Sequence, residues 1–305
     1  MAIGNFDGVH RGHQAVITQA LALAKSNGLS PLVLTFDPHP AVVLGRGALP
    51  ALTSLERKLD LICRLSPELV VVVEPFTPEL AKTAPADFAK PLLVDALAAK
   101  LVLVGENFRF GRGRAGDFAL LERLGAEHGF AAHATALERD ALGPISSTRV
   151  RAALEQGDLP AVEALLGRPH ALTGVVEPGQ GRGKSIGVPT ANLGAIAEAL
   201  PPHGVYAVLV DHEQNGRFVA LGAGVANFGV RPTLGAGPSF EVHVLDKSLD
   251  LYGQQLRVHL LGRLREERKF SGVDELARQI ARDMQAARSL TAPRLPDPSA
   301  LGAWY

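Results

Sequence analysis

Cysteine is scarce in this chain: Cys63 is the single cysteine among 305 residues, beside one tryptophan and two methionines. One thiol cannot form a disulfide within the chain or supply a metal site that needs several cysteines. This usage is typical of proteins from a reducing compartment, so we expect a cytoplasmic protein. Cys63 lies in a helical pattern between Ile62 and Arg64, and a small core residue is its favoured interpretation.

Net charge and long apolar runs are absent as well. Lys+Arg and Asp+Glu number 31 each, so no overall field favours nucleic acid or an anionic membrane. No apolar run approaches the roughly 20 residues that a membrane-spanning helix needs, and the first residues lack a signal-peptide pattern. We expect a soluble monomer or weak homo-oligomer, without nucleic-acid or membrane partners, that holds any anionic ligand by local groups.

Hydrophobic residues form 47% of the sequence, which is enough for two domains with sizeable cores. In the first part apolar runs alternate with helical patterns, and this predicts a parallel, doubly wound, Rossmann-like α/β sheet. Ligands of such sheets lie beyond the carboxyl ends of the strands. A capping box of Thr53 and Glu56 predicts the start of one helix. The predicted strands are 31–36, 69–73, 101–104 and 130–136, the first two of them buried, and the predicted helices include 13–27, 86–100, 117–128 and 159–166.

After about residue 168 the pattern changes to short alternating strands. The dipeptide Asn215-Gly216 between two of them predicts a hairpin turn. Five such strands with one closing helix predict an antiparallel β-barrel or sandwich, and the barrel is the favoured form. The expected domains are therefore 1–168 and 169–290, followed by a loosely packed tail at 291–305. The predicted strands are 173–177, 204–210, 217–226, 239–245 and 255–261, and the closing helix is 273–288.

Residues 4–13 carry the strongest local signal. Three glycines permit tight turns here, so that backbone N–H groups and a helix N-terminus can face one anion. His10 and His13 add donors beside them. Two histidines at this spacing could instead form a metal pair or cap the helix, but no further ligand set is evident, and the glycines favour a phosphate site. The strand that leads into this loop would be short.

Two other glycine-rich stretches resemble nucleotide-binding motifs, but neither has the sequence context that its motif requires. Residues 111–116 satisfy GxGxxG, but they do not directly follow a strand and no acidic ribose ligand stands out. Gly-Lys-Ser at 183–185 resembles the end of a Walker A motif, yet the first glycine would be Pro178, and Pro189 blocks the helix that should follow. Residues 179–187 are better interpreted as a flexible flap over a nucleotide.

Two series of motifs follow one another along the chain. The first lies at residues 4–13, 35–40, 105–110 and 145–151, and the second at 187–192 (GxPTAN), 204–206, 225–233, 241–246 and 250–253. The first series resembles the nucleotidyltransferase module and the second the riboflavin kinase module of the prokaryotic bifunctional riboflavin kinase/FAD synthetases, over nearly the whole chain. The resemblance implies that ATP phosphorylates riboflavin to FMN and then adenylylates FMN to FAD, with release of pyrophosphate.

For the first domain, the resemblance implies contacts to ATP and FMN. His10 and His13 would contact the ATP phosphates, and Arg149 would stabilise charge on the phosphate tail. Arg151 could equally be a helix-surface residue, and a loop phenylalanine is often merely packed. The other residues implied at the ATP site are Gly4, Asn5, Phe6, Asp7, Gly12, Ser147 and Thr148, and those at the FMN site are Asn107, Phe108 and Phe110.

For the second domain, Glu241 is the expected base that accepts the proton of the ribityl hydroxyl. It alternates with apolar neighbours, which is also consistent with an outward-facing carboxylate. Thr190 and Asn192 supply neutral oxygens suited to a Mg²⁺ that bridges ATP phosphates, although turn residues after a proline are an alternative. The flap residues expected to meet ATP are Gly181, Gly183 and Lys184, and Arg231 is expected at the flavin site or in an ion pair.

Together these observations predict a bifunctional flavin-cofactor enzyme that uses ATP and Mg²⁺, with riboflavin, FMN and FAD as substrate and products. Three alternatives stay open. The first is a riboflavin kinase whose adenylyltransferase domain is weak or inactive because its first strand is short. The second is a flavin- or nucleotide-binding regulator without turnover, and the third makes the first domain a transferase for another phosphorylated acceptor.

Overall fold

A two-residue strand lies at the centre of the first domain. The computed structural model describes residues 1–45, 50–179, 187–230 and 238–294. Backbone contacts divide the chain into two units, Met1–Ser147 and the residues from 148 onward. Within the described part of the first unit, five strands form one sheet in the order β3-β2-β1-β4-β5, with every pairing parallel. They are β1 (Ala2–Ile3), β2 (Leu32–Asp37), β3 (Val70–Pro75), β4 (Leu101–Gly105) and β5 (Ala131–Thr135).

β1 is short but paired on both sides. Ala2 lies opposite Val33 of β2 and also opposite Leu103 of β4. Because successive strand residues point to opposite faces, Ala2 enters one core and Ile3 the other. The strand thus links the two halves of the sheet and anchors the loop that follows it. The predicted doubly wound α/β fold is confirmed.

Helices cover both faces of this sheet. On one face, α1 (Arg11–Ser26) and α3 (Leu55–Cys63) bury apolar residues at helical spacing, such as Ile17 and Ile62. On the other face, α5 (Pro85–Phe88), the π-helix at Ala89–Ala96 and α6 (Phe118–His128) surround a second core. The remaining elements described in this unit are two short helices, α2 (Pro40–Val43) and α4 (Pro78–Lys82), a single 3₁₀ turn (Arg112–Arg114), and the small hairpin of β6 (Arg139–Asp140) with β7 (Gly143–Pro144).

Three local predictions for this domain are wrong. The helix start predicted from a capping box of Thr53 and Glu56 is one residue too early, because Ser54 is the N-cap: its Oγ accepts the N–H of Arg57 at 3.2 Å, and α3 starts at Leu55. The predicted helix at 86–100 becomes mainly a π-helix that contains Pro91, a residue without the N–H that regular α-helical bonding needs. The prediction that strand 69–73 is buried is wrong too, because β3 is the edge strand of the sheet and Val70 is 53% exposed.

Cys63 is exposed, so its interpretation as a core residue is also wrong. Leu61 and Ile62 fill the apolar stripe of α3. The next position turns about 100° further around the helix and leaves that stripe.

The second unit contains a closed antiparallel barrel in the order β10-β11-β12-β9-β8-β13, counted over the described residues. Its hairpin turn at Asn215 (φ 52°) and Gly216 (φ 77°) has the left-handed pair that a type I′ turn requires. The strands are β8 (His170–Glu177), β9 (Ala191–Gly194), β10 (Gly204–Gln214), β11 (Arg217–Val230), β12 (Pro238–Val244) and β13 (Gln255–Arg265).

The sixth strand, β9, was not predicted. It is four residues long, and the sequence pattern indicated only a turn after Pro189. Tertiary pairing creates it, because Ala191 lies opposite Val242 of β12 and Leu193 opposite Val176 of β8. The barrel closes through this strand.

Among the described residues, three α-helices accompany the barrel, and a 3₁₀ turn (Ala292–Arg294) follows the last of them. α7 (Ser147–Gln156) and α8 (Leu159–Leu166) precede it, and α9 (Val273–Thr291) packs on its outer face. Ala287 and Met284 of α9 contact the cluster of Ala207 and Leu245. Thr291, the first residue of the predicted tail, ends α9 and is buried, and residues 295–305 lie outside the described part.

Candidate active sites

The loop after β1 has an unusual backbone. Gly4 N donates to Leu34 O at 3.1 Å, and the chain then passes through positive φ angles at Phe6 (49°), Gly8 (82°) and Val9 (39°). Non-glycine residues adopt this region at a cost, which the surrounding structure must offset. Phe6 and Val9 are almost wholly buried, so core packing holds the loop in this conformation.

His10 and His13 meet at the start of α1. His10 Nδ1 accepts the N–H of His13 at 3.3 Å, which makes His10 the N-cap of the helix. The two rings stack with their centroids 3.5 Å apart, and Phe6 packs edge-on against His13. His10 therefore caps the helix, as one alternative held, and it does so at a helix N-terminus, where anions are stabilised. Within the described residues there is no group of three or more metal-ligating side chains.

Asp7 and Ser147 fix the far side of the same loop. Asp7 Oδ1 accepts the N–H of Leu52 at 2.9 Å, and Ser147 Oγ donates to Asp7 O at 2.9 Å. Gly8 N donates to Thr53 Oγ1 at 3.2 Å, which is the contact that Thr53 makes in place of a helix cap. The structure thus brings Ser147 to the loop.

Two further residues expected at the ATP site lie at the start of α7. Thr148 and Arg149 directly follow Ser147, which begins this helix. Thr148 is exposed and Arg149 half-buried.

A cavity of about 390 Å³ opens beyond the carboxyl ends of β1 and β2. Gly4 and Asn5 form part of its lining, and Asn107, Phe108 and Phe110 form another part. The phenylalanine rings of 108 and 110 stack at 5.6 Å. Five of the residues that resemblance assigned to ATP or FMN therefore share one cavity.

Sequence reasoning missed several residues of this cavity. Phe36 and Phe76 meet edge-on at 5.9 Å, and Phe88 lies 5.8 Å from Phe110. Phe36 lies within residues 35–40, one of the stretches similar to the family. That similarity is a sequence signal for Phe36 as a residue of this site. The polar part of the lining includes His39, Arg109 and Arg114.

A second cavity, of about 540 Å³, lies between the outer face of the barrel and α9. Its polar lining includes Thr190, Glu241 and His243 beside the charged residues Arg265, Glu267, Arg268 and Asp283. Its apolar lining comes from β10, β11, α9 and the segment before α9, and includes Val205, Val225, Phe270, Leu276, Ile280 and Met284. Such a mixed lining suits a ligand that has both an apolar and a polar part.

Strand register brings the predicted kinase residues together. Glu241 of β12 lies opposite Asn192 of β9 on one side and Asn227 of β11 on the other. Thr190 Oγ1 donates to Glu241 Oε2 at 3.3 Å, and Ser239 Oγ donates to Oε1 at 3.2 Å. The polar face of β12 thus borders the cavity, and Glu241 contributes to its lining. Gly181, Gly183, Lys184 and Arg231 lie outside the described residues.

The segment before β9 is fastened to β12 by side chains. The ring Nδ1 of His243 donates to Pro189 O at 2.8 Å, and His243 is only 9% exposed. A carbonyl can only accept, so Nδ1 carries the proton. This contact fixes the residue directly before Thr190.

An ion pair holds α9 beside the cavity. Arg265 Nε lies 3.0 Å from Asp283 Oδ2, and Gln279 Nε2 donates to Oδ1 of the same carboxylate at 2.7 Å. Asp283 is 5% exposed. Buried carboxylates need such partners, so this contact sets the position of the apolar wall.

Each of the two units thus holds its own cavity, lined by polar as well as apolar side chains. The FAD synthetase family model matches residues 1–149, and the riboflavin kinase model matches residues 166–291. Curated relatives with the name "Bifunctional riboflavin kinase/FMN adenylyltransferase" are similar to this chain over most of its length. The chain belongs to this bifunctional family and carries both of its domains.

The similarity extends over most of the chain. The Escherichia coli K12 relative is 40% identical over 96% of this chain and 94% of its own length. The Bacillus subtilis relative is 38% identical over 94% and 90%. A crystal structure named for a macrolide-efflux protein from Streptococcus pneumoniae has a TM-score of 0.80 at 28% identity, covering 94% of this chain and 93% of that chain. Its name refers to efflux in that protein, whereas the likeness concerns the fold. No helix among the described residues is long and apolar enough to cross a membrane.

Proposed function

We propose that this chain makes FMN from riboflavin in its barrel domain and FAD from FMN in its sheet domain, using ATP in both steps. The observation that carries this proposal is the presence of two cavities, one in each family domain, each beside the residues that family resemblance assigns to it. The barrel cavity adjoins Glu241 and Thr190, and the sheet cavity adjoins Asn5 and Phe108.

In the kinase step, Glu241 accepts the proton of the ribityl 5′-hydroxyl. The hydroxyl oxygen forms a bond to the γ-phosphorus of ATP, the bond from that phosphorus to the bridging oxygen breaks, and ADP leaves. Thr190 and Ser239 donate to the two oxygens of Glu241, which orients the carboxylate. A positioned base of this kind contributes about 10²–10⁴ in rate.

The apolar part of the barrel cavity takes the isoalloxazine ring. Phe270 and Met284 supply part of its surface, and the Arg265–Asp283 pair keeps α9 at the right distance. The ribityl chain then extends toward Glu241. Arg231, which is outside the part of the chain that the structure describes, is a further flavin contact in this proposal.

Thr190 and Asn192 suit a Mg²⁺ ion that arrives with ATP. Both offer a neutral oxygen, and strand pairing sets Asn192 beside Glu241. Mg²⁺ keeps several waters and takes few protein ligands, which agrees with this sparse donor set. When bound, the ion offsets negative charge on the ATP phosphates. The flap residues Gly181, Gly183 and Lys184 complete the ATP contacts in this proposal.

In the adenylyl step, a phosphate oxygen of FMN bonds to the α-phosphorus of ATP and pyrophosphate leaves. The nucleophile is ionised at neutral pH, so no strong base is needed. His10 and His13 at the N-terminus of α1, with Arg149, stabilise the charge that develops on the phosphates. Gly4, Asn5, Phe6, Asp7, Gly12, Ser147 and Thr148 shape the phosphate site.

The sheet cavity takes the flavin of FMN. Phe108 and Phe110 offer stacked aromatic surface, and Asn107 can pair with the polar edge of the isoalloxazine. We further propose a cytoplasmic location and a monomeric or weakly associated state.

One assay tests the proposal. Incubation with riboflavin and MgATP, followed by mass spectrometry, should yield FMN with ADP and then FAD with pyrophosphate. FMN supplied directly should yield FAD. A folded sample that makes FMN but no FAD would leave a kinase with an inactive second domain, and one that makes neither would refute the proposal.

A further inference from the structure

Lys58 is a buried lysine beside the loop that follows β1. It lies in the middle of α3 and is only 7% exposed. Its Nζ donates to Phe36 O at 3.0 Å and to Asn5 O at 3.4 Å. Lysine is almost never fully buried unless its charge is paired. A specific set of partners therefore holds this side chain in place.

Those partners belong to the ends of two neighbouring strands. Phe36 is near the end of β2, and Asn5 is in the loop just after β1. Thr35 Oγ1 also donates to Asn5 O, at 3.1 Å. Ligands of parallel sheets bind beyond this carboxyl edge. Lys58 thus joins two strands where the candidate phosphate loop begins.

Two carboxylates act on the ammonium group through their negative charge. Burial lowers the Lys58 pKa, and the negative charges of Asp37 and Asp7 partly oppose this effect. Asp7 lies in the loop and Asp37 ends β2. The cluster keeps a cation under the loop without exposing it to the cavity.

In the trans peptide between Asn5 and Phe6, the position of the oxygen also determines the direction of the N–H. In one peptide plane the C=O and the N–H point in opposite directions. With Asn5 O held by Lys58 and Thr35, the N–H of Phe6 is directed away from the ammonium group. The same contact fixes where Asn5, a cavity residue, leaves β1.

We propose that Lys58 is a positioning residue for FAD formation, which sets the phosphate loop by holding the Asn5 carbonyl against the end of β2. The inference rests on the proposed adenylyltransferase activity. Lys58 acts through the loop and does not contact substrate.

Lys58→Met tests this role, because it keeps the aliphatic stem and removes the ammonium group. An error of about 1 Å in a reacting group can cost roughly 10²-fold in rate, so kcat/KM for ATP in FAD formation should fall about 10- to 100-fold, with a higher KM for ATP. FMN formation by the same molecules should be unchanged. Lys58→Arg keeps the charge and the N–H donors and should recover most of the loss.

Arg57→Met is the matched control, since Arg57 is the neighbouring buried cation of α3 and pairs with Asp60. It should leave the KM for ATP unchanged. If the parent makes no FAD, the proposed function fails. If the parent makes FAD while Lys58→Met keeps its kinetics, or if Arg57→Met shows the same loss, the role of Lys58 is refuted.

The pH profile adds a second measurement. A lysine with a lowered pKa loses its proton at a lower pH than an ordinary lysine, so FAD formation by the parent should decline on the alkaline side. The decline should shift to higher pH in Lys58→Arg and disappear in a folded Lys58→Met. If Lys58→Met does not fold, the comparison of parent and Lys58→Arg decides, and identical alkaline limbs would overturn the proposal.

Discussion

Thr190 donates from its hydroxyl to Glu241 at 3.3 Å, although 51 positions separate the two residues in sequence. Strand β9, which begins directly after Thr190, pairs with β12 and creates this contact. The base assigned to the kinase step and a ligand assigned to Mg²⁺ are therefore neighbours. The two assignments can be tested separately, because one concerns the acceptance of a proton and the other the binding of a metal ion.

Glu241→Gln should abolish the kinase step alone. The amide keeps the size of the side chain but cannot accept the proton of the hydroxyl, so FMN formation should fall by about 10²–10⁴. FAD formation from added FMN should stay at the parent rate, as measured by chromatography of the products. FMN formation at the parent rate would show that Glu241 is not the base.

Thr190→Val should raise the Mg²⁺ concentration that half-saturates FMN formation. Valine has the shape of threonine but no oxygen to offer the ion. Thr190→Ser retains the hydroxyl and serves as the control, with a requirement close to that of the parent. Equal Mg²⁺ titrations for the valine and serine variants would remove Thr190 from the metal site.

His13→Ala should mainly impair FAD formation. Loss of one preorganised donor near a developing charge costs about 10²–10³ in rate, so the turnover of added FMN should drop on this scale while FMN formation continues. His128→Ala, at the end of α6 in the same domain, is the matched control. A similar loss in both variants would indicate general damage to the domain.

Asp117 should make the stability of the first domain depend on pH. The N–H of Leu120 lowers the pKa of this helix-capping carboxyl, and Arg109 lowers it further. The pKa of Asp117 is lower in the folded than in the unfolded state. Its contribution to the free energy of unfolding is therefore complete above the unfolded-state pKa and is lost as the pH falls through the folded-state pKa. Carboxyl NMR shifts should give a midpoint below that of an ordinary aspartate, and Asp117→Asn should lose this part of the acid dependence. A midpoint at the ordinary value would contradict the capping contact.

Local pattern determined much of the secondary structure. The helices α6 and α8 follow their predicted spans closely, since a capping Asp117 and a terminal Gly167 mark their ends. The Asn215-Gly216 turn also follows from its two residues alone. These features depend on backbone preferences within a few positions.

Pairing across the chain decided what local pattern could not. The valines of β3 carry the same strand signal whether the strand is central or at an edge, and only the strand order leaves Val70 exposed. β9 is too short to stand out, and it forms because β8 and β12 offer pairing on both sides. Thr53 looks like a helix cap in sequence but accepts a bond from Gly8 in the fold.

By itself the sequence determined the family, the two modules and the kinds of side chain that their chemistry needs, because motifs and periodicity are properties of neighbouring residues. The tertiary structure decided which of those side chains meet. Phe36 meets Phe76 and Phe88, and Phe88 meets Phe110, all from different segments, and Lys58 reaches Asn5 from a helix. Such contacts depend on the order and register of the strands, which no short stretch of the chain contains.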